Sequence, residues 1–426
     1  MIDPMPPSSM VIPAIIAQHA EDAAFHWLLR DAAVCAPHYS LDDLAELDNR
    51  LNAHIDGLRI AGEAGWEMCQ EQLGWEEPGE VFVSAVLAFE SGYEARMQTV
   101  LEVGSTLPAL SRSLVSALGW LPYHQAERHI KQLLTAASPD LRRIGIAVCA
   151  VHRQDPGRPL TAALSHADPM LRARALRAVG QLGRVDLLPL LQNNLTADDV
   201  PCLFSAAWSA ALLGDMRAIP PLQSIARLNV PYKEEAAKMA LRCMDLPIAH
   251  GWQKALAQSP DSLRLAVIGA GVIGDPTLVP WLIEQMLIPE LARVASEAFT
   301  MITGVDIAYE DLEGEWPEGF EAGPTEDPED ENVDMDPDED LPWPKPEAIY
   351  TWWKNHQGRF RTGTRYLLGK PMSTDWLRDV LRNGRQRQRA AAALELPLQQ
   401  PGQPLFEVRA PGFRQQQVLG TKEYTR

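Results

Sequence analysis

The sequence predicts an all-α fold, a solenoid of stacked helix pairs, and three observations lead there. An apolar-Gly step followed six residues later by Pro recurs at Leu182-Gly183 with Pro189, Leu213-Gly214 with Pro220, and Ile273-Gly274 with Pro280. The spacing is regular: 31 residues separate Gly183 from Gly214, and 60, or two further periods, separate Gly214 from Gly274. Pro139, Pro169 and Pro260 share a second register, and so do the pairs Ala175-Leu176, Ala206-Ala207, Ala236-Ala237 and Ala266-Val267. A fixed period of this length, built from short apolar-periodic helices, marks a stacked helical array. The register extends back through Arg153 with Pro159 to Leu118-Gly119, and Met244, with His250 in the Pro place, stands where one copy is missing.

Each phrase has a physical reading. Gly ends the first helix where a left-handed residue is needed, and Pro opens the second where its missing N–H costs nothing. The Ala pairs let neighbouring helices approach closely. A HEAT-like helical-repeat solenoid is therefore expected over residues 79–304.

Gly269, Gly271 and Gly274 follow an apolar run in the dinucleotide-binding spacing, and the register accounts for all but Gly269. The fingerprint needs a strand before it and a βαβ unit around it. Here Gly271 and Gly274 repeat the register of Gly180 and Gly183, and Ser259-Pro260-Asp261 reads as a helix start. Repeat punctuation is the better reading, with nucleotide binding as the alternative.

Before the array, residues 1–13 are rich in Pro, Ser and Met and read as a disordered N-terminus. Residues 14–78 read as an N-terminal helical cap. One helix carries Ile15, Ile16, Ala23 and Trp27; a second starts near Ser40, with Asp43 three residues on, and continues to about Glu71. Residues 305–340 read as an acidic disordered insertion: 306–340 contain 17 Asp and Glu and no Lys or Arg. Such a stretch buries too little apolar area to fold alone. Residues 341–426 form a basic helical C-terminal segment, net +9, so the formal charge of −19 leaves −11 on residues 1–305. Within it, Arg385 to Leu394 echoes the Arg172-Ala-Arg-Ala-Leu176 phrase, so the array is expected to resume there.

The five cysteines are far apart, odd in number and without a CxxC pair, which points to buried thiols in a reducing compartment. Met1 to Pro13 has no basic n-region, and no apolar run approaches 18 residues; a cytoplasmic protein without a membrane span is expected.

Catalytic signals are scarce. There is no GxSxG elbow, P-loop or HExxH. Iron-dependent hydroxylases of HEAT architecture use His-Glu dipeptides, and none of the ten histidines is followed by Glu. HEAT-type DNA glycosylases carry a basic face, whereas this array is net acidic. His19, Asp22 and His26 share a helix face, but the flanking Phe25 and Trp27 favour packing over metal binding. Asp334, Asp336 and Asp338 imitate a calcium loop, yet Glu339 and Lys345 stand where Gly and Glu are required. No enzyme, no cofactor and no metal are expected.

Several phrases together resemble an uncharacterised bacterial HEAT-repeat family found in type VI secretion gene clusters. At the N-terminus these are His19-Ala-Glu-Asp-Ala-Ala-Phe-His-Trp27, Arg30, Ala33-Val34, Leu44, Arg50 and His54-Ile-Asp-Gly-Leu58. At the C-terminus they are Leu341-Pro342, Trp352-Trp353, Phe360, Gly363, Arg365, Gly384 through Arg389, Leu405-Phe406 and Arg409-Ala-Pro411. The resemblance implies a cytoplasmic accessory to the secretion machinery that handles an effector or spike component. It carries no catalytic residues over.

The expected function is a non-enzymatic protein-interaction scaffold. Aromatic and Arg residues dominate interface hot spots, so Trp352, Trp353, Arg365, Arg385 and Arg389 are the candidate partner contacts. A nucleic-acid reading rests on Trp376 and the arginines between Arg359 and Arg389. Pairing of those arginines with the acidic insertion or the acidic array argues against it. Partner identity and oligomeric state are left open.

Overall fold

The computed structural model describes residues 12–324 and 335–420. The expectation for the N-terminus falls on residues 1–11, outside the described ones, but Pro13 already opens the first helix, Pro13–Ala33. The fold is an all-α helical-repeat solenoid. Among the described residues the one strand pair is Tyr366–Leu367 with Lys370–Pro371. The chain forms two compact units. The first comprises Met1–Cys35, Tyr39–Leu182 and Glu407–Arg426; the second comprises Ala36–His38 and Gly183–Phe406.

In the first unit, helices Pro13–Ala33 and Leu41–Ala61 pack side by side. Ser40 starts the latter with a capping box: its hydroxyl accepts from the Asp43 amide, and Asp43 accepts from the Ser40 amide at 2.8 Å. The helix expected to run on to Glu71 breaks at Gly62, whose φ of 61° turns the chain into a separate helix, Glu63–Leu73. Helices Pro78–Ser91, Pro108–Trp120, Pro139–Val151 and Pro169–Gln181 then stack in chain order. Their core joins Trp27, stacked on Phe82 at 5.3 Å, to Trp120, which meets Phe82 edge-on at 5.7 Å.

The second unit repeats the scheme with Val200–Leu212, Lys233–Cys243, Pro260–Ile273 and Pro289–Thr303. Gly183, Gly214 and Gly274 have positive φ, as the spacing predicts, and so does Gly304. Arg153 holds the same register place in the first unit, and it too is left-handed, with φ 55°. Met244 instead leaves its helix extended. After Gly183, Gly214 and Gly274 a single 3-10 turn precedes the second helix, so Pro189, Pro220 and Pro280 sit one residue inside it. Asp215 and Asp275 cap those turns by accepting from the Arg217 and Thr277 amides.

The acidic segment is anchored over its described residues, where composition alone predicts disorder. Gly314 and Lys345 donate to the Trp343 and Leu312 carbonyls, each at 2.8 Å. Arg264 grips the Asp338 carboxylate through both terminal nitrogens at 2.7 and 2.6 Å. Buried Arg293 pairs with Asp336 at 2.7 Å and lies over the Trp316 ring at 4.9 Å. Arginines of the array thus supply the compensation that composition cannot see. Asp334, the first position of the calcium-loop imitation, lies outside the described residues; Asp336 and Asp338 face arginines. Helix Pro346–His356 then packs on Val279–Gln285, and Trp352 meets Phe299 edge-on at 5.7 Å, completing the pair that Pro289–Thr303 begins.

The echo at Arg385–Leu394 does not extend the stack. Helices Thr374–Asn383 and Gln386–Gln399 form their own pair, laid on Val200–Leu212 and tied by Glu395 to Arg242 at 3.1 Å and by Arg387 to Glu297 at 3.0 Å.

Candidate interaction surface

In the second unit, glycine-ended helix termini carry residues 366–403 of the chain. The Tyr366 amide donates to the Gly274 carbonyl at 2.8 Å, and Leu368 and Gly369 donate to Met301 and Ile302 at 2.7 and 3.0 Å. A Cβ on Gly304 would stand 2.7 Å from Leu368, and one on Gly214 would stand 3.2 Å from Pro401. At Gly183 it would overlap the Gly402 carbonyl. Left-handed glycine therefore serves two purposes here: it ends the helix and clears a path for backbone.

At two other helix ends, charge takes over. Arg365 donates to the Leu241 and Met244 carbonyls, filling the helix end that Met244 leaves open. In the first unit, Arg414 does the same at Gly119, donating to the carbonyls of Gly119, Trp120 and Leu121 at 2.7, 3.0 and 2.9 Å. A guanidinium at a helix C-terminus answers both the orphan carbonyls and the negative end of the dipole. Burial pushes the Arg414 pKa down to about 10. Arg153 meets Glu407 of the same segment at 3.1 Å.

The five candidate contacts separate on this frame. Arg389 is fully buried, donating to the Leu381 carbonyl at 2.8 Å and to Gln386, and Trp353 is 5% exposed against Phe360. Neither offers a surface, which corrects their assignment: an Arg in an Ala-rich helix reads as solvent-facing until its neighbours are known. Arg365 is half-buried on carbonyls. Trp352 is partly exposed, stacked on His356 at 4.2 Å. Arg385 is exposed, donating to the His38 carbonyl and standing 3.6 Å from Asp306. Of the arginines of the nucleic-acid reading, Arg387 is met by Glu297 at 3.0 Å and Arg378 by Asp375 at 3.7 Å.

His19, Asp22 and His26 do not converge as a triad. His26 Nδ1 bonds the Asp22 carbonyl, while His54 enters from the second helix to within 3.2 Å of His19. Among the described residues no group of three His, Cys, Asp or Glu is placed to hold a metal ion. Gly269 and Gly271 lie inside helix Pro260–Ile273, facing Leu241 and Ala298, and Gly274 caps it. The cysteines form no disulfide; Cys69, Cys149 and Cys202 are buried and Cys243 half-buried, but Cys35 is exposed, which corrects the expectation of buried thiols there.

A cavity not foreseen from sequence lies in the first unit. Arg112, Arg143 and Arg174 occupy three successive stacked helices, 31 residues apart. That spacing was the available signal, hidden by the net acidity of the array. Arg112 and Arg174 line a cavity of about 220 Å³ with Arg30, Trp120, Glu407 and Arg409. Burial, with the guanidiniums of Arg177, Arg153 and Arg143 opposed by Glu407, pushes the Arg174 pKa down to about 9.

A family model described as HEAT repeats matches residues 157–242, spanning three of the stacked first helices. No curated protein matches the chain. No helix among the described residues is long and apolar enough to cross a membrane.

Proposed function

We propose that this HEAT-repeat protein is a non-enzymatic interaction scaffold that works in the cytoplasm as an accessory to type VI secretion, handling an effector or spike component. HEAT repeats commonly mediate protein–protein contact, and the phrases shared with the secretion-cluster family at both chain ends support the more specific role. The observation that carries the scaffold reading is the row of helix ends, on which the protein's own extended segment is held by backbone hydrogen bonds and arginines. A surface built this way suits an elongated partner segment, as in other helical-repeat arrays. Exposed apolar side chains at Phe25, Leu28 and Leu29 of the first helix add a face of the kind that marks interaction sites. Residues 14–78 act as the cap of the array in this reading, and Trp352 and Arg385 remain as partner contacts.

The test is co-expression with each spike and effector protein of the secretion cluster, followed by gel filtration. A stoichiometric complex that weakens in Arg385→Glu and Trp352→Ala supports the reading. Co-elution of none of them refutes the secretion role.

A further inference from the structure

Arg112, Arg143 and Arg174 recur once per stacked helix on a shared face, and two of them line the cavity of about 220 Å³. Its lining charges are unevenly matched. Arg30 is spent on Asp48, buried beside it at 2.7 Å. Arg112 and Arg409 both converge on the one carboxylate of Asp31. Arg174 reaches Gln181 through one terminal nitrogen, and its Nε is buried with no hydrogen-bond partner; the Nε of Arg143 is in the same condition. A buried guanidinium donor left unmade costs free energy comparable to a lost hydrogen bond or more. Such a donor calls for an acceptor, which a bound anion can supply.

We propose that this cavity is an oxyanion site for phosphate, free or carried as a phosphoryl group, with Arg174 as its principal donor and Arg112 at its rim. Guanidinium forks match the geometry of phosphate oxygens. The volume lies below the roughly 300 Å³ at which pockets begin to enclose a drug-sized molecule, so a small anion fits and a whole nucleotide does not. Glu407 tells the same story from the other side. It is the carboxylate that the C-terminal segment brings to the wall, 3.1 Å from Arg153, and it acts as an internal anion in partial competition with the ligand.

The experiment is a titration of the full chain with inorganic phosphate at constant pH and ionic strength, read as the thermal unfolding midpoint against a chloride control. A saturable rise in midpoint is expected. Arg174→Gln should lose at least tenfold in phosphate affinity while keeping its circular dichroism. Glu407→Gln should bind phosphate several-fold tighter, which a merely structural Glu407 would not produce. A phosphomonoester such as glycerol phosphate that binds as tightly as inorganic phosphate assigns the site to phosphoryl groups; one that fails to bind assigns it to the free ion. A phosphate response no different from chloride, or undiminished affinity in Arg174→Gln, overturns the proposal. If Arg174→Gln does not fold, unchanged affinity in Glu407→Gln overturns it instead.

Discussion

Gly274 and Tyr366 meet backbone to backbone: the Tyr366 amide donates to the Gly274 carbonyl at 2.8 Å, and the Tyr366 carbonyl oxygen occupies the space a Cβ on Gly274 would need. Gly274 also has φ 71°. Gly274→Ala therefore adds left-handed strain to a steric clash and should cost about 2 kcal/mol or more. Gly271→Ala, whose methyl would stand 2.9 Å from the Ala298 Cα, should cost about 1–3 kcal/mol. Gly269→Ala meets only a Leu241 methyl at 2.7 Å and gains helix propensity, so it should stay within about 1 kcal/mol of wild type. Urea denaturation of the three variants checks the order. A nucleotide-binding turn would instead make Gly269 as intolerant as the others.

Arg414 closes the helix end at Gly119 with three carbonyl contacts. Hydrogen bonds to charged groups are worth about 1.5–3 kcal/mol each and are not additive. Arg414→Ala should cost about 2–4 kcal/mol in chemical denaturation. Arg414→Lys should recover less than half, because an ammonium cannot fork across three acceptors.

The acidic segment is held by Asp336 on Arg293, both nearly buried. Burial tends to raise the Asp336 pKa, but hydrogen bonds from Arg293 and the Asp338 amide outweigh it and hold the carboxyl below its ordinary value. The folded state thus binds this proton less tightly than the unfolded chain. Its stabilisation is complete above the unfolded value near 3.8 and is lost as pH falls through the folded value. Asp336→Asn should cost about 3 kcal/mol at pH 7, since it leaves buried Arg293 with the Asp338 carbonyl but without its charged partner. The difference between variant and wild type should shrink as pH drops below 4.

His152 works in the opposite sense to a paired histidine. Burial pushes its pKa down to about 4, and its Nε2 stands 3.0 Å from the Leu118 carbonyl. The neutral ring is the folded form, while the unfolded chain takes a proton near 6.5. Stability should fall as pH drops from 6.5 toward 4, by roughly 3 kcal/mol in total from this residue. His152→Gln should flatten that part of the profile, measured as the denaturation midpoint against pH.

The array was legible because its determinants are local and periodic: Pro at helix starts, Gly at helix ends, Ala pairs between. The dinucleotide decoy dissolved on the same register, which places Gly271 and Gly274 but not Gly269. The path of the C-terminal segment was not legible, since Gly274 and Tyr366 are 92 residues apart and nothing near either announces the other. Burial of Arg389 and Trp353 was hidden for a related reason. Arg389 sits among alanines that read as a surface-tolerant helix, but the paired helix and its Leu381 carbonyl enclose it. The arginine ladder was readable from the spacing of Arg112, Arg143 and Arg174, and was lost by averaging charge over the array. The anchors Asp336 and Asp338 were lost in the same average.

The central claim is that the C-terminal segment lies on the helix ends of the repeats. Amide hydrogen exchange at Tyr366, Leu368 and Gly369 tests it most directly, because these residues lie outside any helix and donate to Gly274, Met301 and Ile302. Protection approaching that of the Pro289–Thr303 helix is predicted. Exchange at the rate of an unstructured loop would contradict the account.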